Sequence, residues 1–168
     1  MHPLSNQHKP RTRGFTLIEV MITVAIVAIL AAIALLMVVV SVADASTALP
    51  DRQIASVAKA AGFTGSNQIT ATAVCLAESG GYADNISSTH DYGLWQIHRS
   101  AWPELMTAKV MASGSWKIPS VNAGFAYRIY KIQGWRAWSA YNNGRYKKFL
   151  ARAQAAVSSA NRSMAARG

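Results

Sequence analysis

From Val20 to Val40 the chain holds a single polar residue, Thr23. An apolar helix of roughly 20 residues is what the hydrocarbon core of a bilayer requires. No other stretch constrains the fold as strongly. As a buried core helix it would need protein on every side, and the chain of 168 residues leaves too little for that. The expectation is one transmembrane helix over residues 15–43 behind a polar leader, residues 1–14, that carries Lys9, Arg11 and Arg13. Positive charge ahead of the span keeps the N-terminus cytoplasmic and sets everything from Ala48 onward outside. Two plainer outcomes stay open: a simple signal anchor, or a secretory signal cut near Ala43-Asp44-Ala45, which would release the rest.

Beyond a linker over 44–50, residues 51–157 read as one mainly helical domain. Asp51 to Ala61 has helical character and Gly62 stops it. Ser66 or Asn67 is suited to cap the next helix, which places Ile69, Ala73, Leu76 and Ala77 on one face and halts at Gly80-Gly81. Ser120 would cap a third, with an apolar stripe of Val121, Phe125, Ile129 and Ile132 ending at Gly134. Tyr146, Phe149, Leu150, Ala153 and Val157 mark a last helix. No convincing alternating strand is present, although a short hairpin between Tyr82 and Tyr92 is compatible with the pattern. Residues 158–168 read as a frayed basic tail.

The formal net charge is +10. Such a balance favours a polyanionic partner, whether nucleic acid, anionic lipid or an anionic cell wall. The lone cysteine, Cys75, excludes an intrachain disulfide and, among small apolar residues, reads as a buried inert thiol. The four histidines show no metal-ligand spacing, so neither a metal nor a cofactor is expected. After residue 50 there are only five acids: Asp51, Glu78, Asp84, Asp91 and Glu104. Asp51 and Glu104 suit helix starts, where the macrodipole favours negative charge. Glu78 instead falls at the end of an apolar helix. Dipole and desolvation there both favour the protonated acid, which suits a proton donor. An exposed glutamate in a last helical turn is the plainer alternative.

Three segments occur in order: Ala77-Glu78-Ser79-Gly80-Gly81, Tyr92-Gly93-Leu94-Trp95-Gln96-Ile97 and Ala140-Tyr141-Asn142-Asn143-Gly144. Together they resemble the soluble lytic transglycosylase branch of the lysozyme superfamily, with Asn122 matching the asparagine between the last two. The resemblance covers about residues 67–153 and implies a lysozyme-like helical domain. It also implies cleavage of the β-1,4 bond between N-acetylmuramic acid and N-acetylglucosamine in peptidoglycan. At the matched positions Glu78 would be the catalytic acid and then the base. Gln96 would line the saccharide groove beside Ser79, and Asn122 would support its floor. Gly93 would let sugar and backbone approach, and Tyr141 would hydrogen-bond near Glu78. Asp91, just before the Tyr92-Gly93 turn, is the candidate second carboxylate. A mere turn cap is the alternative there, and hydrolysis and anhydro-sugar formation both stay open.

The junction Gly14-Phe15-Thr16-Leu17-Ile18-Glu19-Val20 resembles the processing site of type IV prepilins. That resemblance implies cleavage after Gly14, methylation of Phe15, and a role for Glu19 in pairing with a neighbouring subunit of a pilus or secretion machine. A buried carboxylate in an apolar span needs such a partner. The competing function is a non-enzymatic pilus-associated module that binds wall or DNA. No recognised nucleic-acid motif is present, so nucleic acid is not the expected partner.

Overall fold

The computed structural model describes residues 47–166 and, nearer the N-terminus, Leu17, Ile18, Met21, Ile22 and Val24–Val27, all of them helical. Most of the expected membrane span, with Gly14, Phe15 and Glu19, lies outside the described residues. Among the described residues no helix is long and apolar enough to cross a membrane. The chain divides into two compact units, Met1–Ala45 and Ser46–Gly168. The second unit carries everything that follows.

That unit is mainly helical. Its elements are α1 (Asp51–Ala61), α2 (Gly65–Ser79), β1 (Asp91–Tyr92), β2 (Ile97–His98), α3 (Ala108–Ser113), α4 (Pro119–Gln133), α5 (Ser139–Asn142) and α6 (Leu150–Ala165). Short 3-10 turns lie at Ser115–Lys117, Gly134–Ala137 and Arg145–Phe149. α2 is the central helix. Ala71 to Leu76 are buried without a break, because α1, α4, α5 and α6 pack around it directly or through one another. A helix apolar on all sides belongs in a core. Burial pushes the Cys75 thiol far up from its usual range, so it is inert in the folded chain.

α1 ends as its sequence predicts, at Gly62 with φ 119°. Two constraints meet there. The left-handed backbone favours glycine, and a Cβ would come within 2.7 Å of the Tyr127 ring. That close approach lets Phe63 lock edge-on to Tyr127, with ring centroids 5.0 Å apart, and stack on Trp135 at 5.5 Å.

Several expectations are corrected. Neither Ser66 nor Asn67 caps α2, which starts at Gly65 behind Thr64. Nor does Ser120 cap α4, since Pro119 opens that helix with its preset φ and no N–H to satisfy. The buried face of α4 is Asn122, Ala123, Ala126 and Ile129, while Ile132 is exposed. Ala123 and Ala126 on that face let α4 approach its neighbours closely. Glu104 sits in a turn ahead of α3, whose cap is Thr107, accepting from Val110 N–H at 3.3 Å. The hairpin falls later than expected, with Asp91 opposite His98 and Tyr92 opposite Ile97. Within Tyr82–Tyr92 there is only the isolated bridge Ile86–Tyr92. The C-terminal stretch is no frayed tail, for α6 continues to Ala165 and buries Ala160 in a cluster with Ala55, Ala156 and Val157.

Candidate functional site

Glu78 is the next-to-last residue of α2. Gly80 turns the chain away behind it, so the carboxylate projects from the helix end. One oxygen, Oε1, accepts from the Ala140 backbone N–H at 2.9 Å and from the Ser139 hydroxyl at 3.3 Å. Both donors open α5. A helix start presents free N–H groups, and the end of α2 supplies the carboxylate that takes one of them. Oε2 faces the Arg145 guanidinium at 3.3 Å. The apolar setting expected for Glu78 is thus corrected: its neighbours in sequence are apolar or small, but its neighbours in space are donors. Only 10% of the side chain is exposed.

Asp91 and His98 oppose each other on β1 and β2, and directly paired residues share a face. Asp91 Oδ1 lies 2.7 Å from His98 Nδ1, and Ser100 Oγ lies 2.9 Å from His98 Nε2. Oδ2 accepts from the hydroxyls of Ser87 and Thr89, at 2.7 and 2.5 Å. Burial pushes the carboxyl up, but hydrogen bonds from Thr89, Ser87 and His98, with the His98 charge, outweigh it and hold Asp91 below the usual aspartate range. The sign of the consequence follows from linkage. A depressed folded pKa adds stability above the ordinary aspartate value of about 3.9, and that stability is lost as pH falls through the folded value. In urea unfolding between pH 2 and 6, wild type should therefore lose stability on acidification more steeply than Asp91→Asn. Parallel curves would show that the network does not hold the charge.

One buried side chain ties the loop between the strands to α4. Asn122, fully buried in α4, accepts from Trp95 N–H at 2.9 Å and donates to the Tyr92 and Trp116 carbonyls at 3.0 and 3.2 Å. Gly93 lies so close that a Cβ would fall 2.4 Å from Asn122 Nδ2, and its φ is 76°. Its lack of a side chain serves Asn122. Gln96 takes φ 48°, a conformation rare outside glycine, and its Nε2 donates to the Gly93 carbonyl at 2.8 Å. Strain of this kind persists only where the surroundings fix it. The Trp95 ring is core, with Nε1 donating to the Ala71 carbonyl at 3.0 Å.

Glu78, Asp91 and Gln96 line a single cleft of about 630 Å³, together with His98, Trp102, Trp138, Ser139 and Arg145. The other residues singled out in the sequence lie elsewhere. Ser79 is buried, donating to the Cys75 carbonyl and accepting from Gly81 N–H. Asn122 and Gly93 reach the cleft only through the loop they hold. Tyr141 does not supply the expected bond to Glu78. Its ring stacks on Tyr146 at 4.7 Å, beside a separate depression at Asn142–Gly144. Sequence reasoning missed His98, Ser139, the Ala140 N–H and the placement of Arg145. His98 had a signal: seven residues after Asp91 across a tight turn, it pairs with it. Among the described residues no cluster of side chains could hold a metal ion.

The helical domain thus brings one carboxylate from a helix end and one from a short hairpin to the same cleft. The chain belongs to the family described as Lysozyme like domain, which matches residues 55–140, just over half of its length. The Prokaryotic N-terminal methylation motif matches residues 9–35. Comparison with curated proteins and with solved structures gives no significant match.

Proposed function

We propose that the protein cleaves the β-1,4 bond between N-acetylmuramic acid and N-acetylglucosamine in peptidoglycan, with Glu78 as proton donor and then base. The observation that carries this reading is that Glu78 and Asp91 line one cleft in different settings. Oε1 of Glu78 is fixed by Ala140 and Ser139. Oε2 is held only by a half-exposed arginine, so it is the oxygen able to carry a proton to the leaving group. Asp91 is held as the anion by three donors. It would stabilise the positive charge that grows on the muramyl ring or attack its C1. Such a pair favours hydrolysis over cyclisation by the muramyl 6-hydroxyl. Gln96 would contact the sugar near the scissile bond.

In this reading the N-terminal segment is a prepilin-like anchor, cut after Gly14 and methylated at Phe15. It would hold the domain outside the membrane, against the wall, near a pilus or secretion machine. The methylation motif at residues 9–35 supports the prepilin likeness. The basic side chains Lys147, Lys148 and Arg152 suit an anionic wall, though Arg152 is paired with Asp51.

The test uses the purified full-length chain in detergent on peptidoglycan sacculi, with mass spectrometry of the released muropeptides. Reducing muramyl ends are expected. Anhydro-muramyl ends would keep Glu78 as acid but remove Asp91 from the chemistry. Absence of any product from folded protein would leave the binding module as the better account.

A further inference from the structure

The cleft has an electrostatic problem that its own residues identify. Two of the side chains lining it are carboxylates, Glu78 and Asp91, and among the described lining residues Arg145 alone carries a permanent positive charge. The strand proposed to enter it is also anionic. Every muramyl sugar bears a lactyl ether at C3 that ends in a carboxylate. Where a stem peptide is attached, that carboxylate is an amide and the peptide brings carboxylates of its own. Without a cation at the right place, the cleft would repel the substrate it must hold.

The geometry points to Arg145 as the site that takes a carboxylate of the muramyl arm, making it the residue that distinguishes muramyl strands from neutral polymers of N-acetylglucosamine. This rests on the peptidoglycan reading above and names the group by which that substrate is recognised. Three observations carry it. The guanidinium lies 3.3 Å from Glu78 Oε2, whereas charge-assisted bonds of this kind close to about 2.7–2.9 Å, so the pair is loose. The arginine side chain is 51% exposed and the glutamate 10%, so Arg145 is the partner free to move. Finally, its contact with Glu78 uses one N–H of a fork built for two-pronged binding of carboxylates. The backbone N–H of Arg145 is held by Asn143 Oδ1 at 3.0 Å, which fixes the base of the side chain while its tip exchanges partners.

The exchange has a consequence for Glu78. When the substrate carboxylate draws the guanidinium away, Oε2 is left facing the glycosidic oxygen instead of a cation. A neutral strand would bind without drawing it off. Recognition of the muramyl arm and exposure of the acid are then one event.

The test separates this from the catalytic reading by measuring binding as well as cleavage. Full-length wild type, Arg145→Gln and Arg145→Lys are titrated with the disaccharide of N-acetylglucosamine and N-acetylmuramic acid, and with its lactyl amide, which has the same shape without the charge. Wild type should prefer the acid by about tenfold, the scale of one hydrogen bond between charged groups. Arg145→Gln should lose that preference and Arg145→Lys recover part of it. Cleavage of peptide-free strands, peptide-bearing strands and N-acetylglucosamine oligomers is then compared through kcat/KM. The ratio of muramyl to neutral substrate should fall about tenfold in Arg145→Gln. A fall confined to peptide-bearing strands would assign the carboxylate to the stem peptide, and one on peptide-free strands to the lactyl group. An unchanged acid preference in Arg145→Gln together with unchanged kcat/KM ratios on every strand, or equal loss on all substrates, overturns the proposal. Acid preference lost in Arg145→Gln without cleavage by wild type would uphold the site and sink the enzymatic reading instead.

Discussion

Glu78→Gln is expected to lower release of muropeptides by about 10²–10⁴-fold, the range that general acid–base catalysis contributes. The substitution is nearly isosteric, and its amide oxygen can still accept from Ala140 N–H and the Ser139 hydroxyl. What disappears is the oxygen that carries the proton, Oε2, replaced by an amide nitrogen that has no acid to give. The ion pair with Arg145 also goes, but that arginine is half exposed and the contact long, so stability should change by no more than about 1 kcal/mol. Loss of activity with an unchanged unfolding midpoint is therefore the signature. Retention of activity within about threefold of wild type, far above the range for a lost general acid, would remove Glu78 from the chemistry. The same measurement on Ser139→Ala would show a smaller loss, because Ala140 N–H still orients Oε1.

The helical class of the domain was legible from local patterns, because helical spacing and stop signals act over a few residues. Gly62, Gly80 and Gly134 end their helices as read. The positions of Glu78 and Gln96 on one cleft were legible only through the family resemblance, since nothing local joins a helix end to a hairpin, whereas Asp91 was a candidate only by its place before the Tyr92-Gly93 turn. The sequence misled where tertiary packing overrides a local signal. Ile132 completes an apolar stripe in sequence and is exposed in space, because the buried face of α4 runs through Asn122, Ala123, Ala126 and Ile129 and leaves it outside. Residues beyond Val157 are short-chained and polar or basic, which reads as a tail. Yet the alanines recur at the spacing that packs α6 against Ala55. The donors to Glu78 were invisible for another reason: one is a backbone N–H, and backbone groups leave no trace in side-chain identity. Arg145 could be read only as one charge among many, since its meaning depends on the single carboxylate it faces.

Asn122 shows how far a buried polar group can control a site it does not touch. It is 0% exposed, and its amide closes three bonds: to Trp95 N–H, and to the carbonyls of Tyr92 and Trp116. Asn122→Leu keeps the volume and removes all three. Each backbone group left without a partner in the core costs about 1–3 kcal/mol. Partial rearrangement would limit the sum, so a loss of about 3–5 kcal/mol is expected by urea unfolding followed through tryptophan fluorescence. Asn122→Asp should also be costly. It retains an acceptor for Trp95 N–H but turns an oxygen toward two carbonyl oxygens. A loss below about 1 kcal/mol in Asn122→Leu would mean that the loop is held without the Asn122 amide, by its apolar residues and by bonds such as Trp138 Nε1–H to the Trp95 carbonyl. The functional effect follows from the register. Asp91 and His98 face each other across β1 and β2, and the Asn122 bond to Trp95 N–H ties the four residues between those strands to α4. Gly93, with no room for a Cβ beside the Asn122 amide, shows how tightly that tie is drawn. Where Asn122→Leu still folds, cleavage should fall further than the fraction unfolded explains, because Asp91 loses the frame that sets it across the cleft from Glu78.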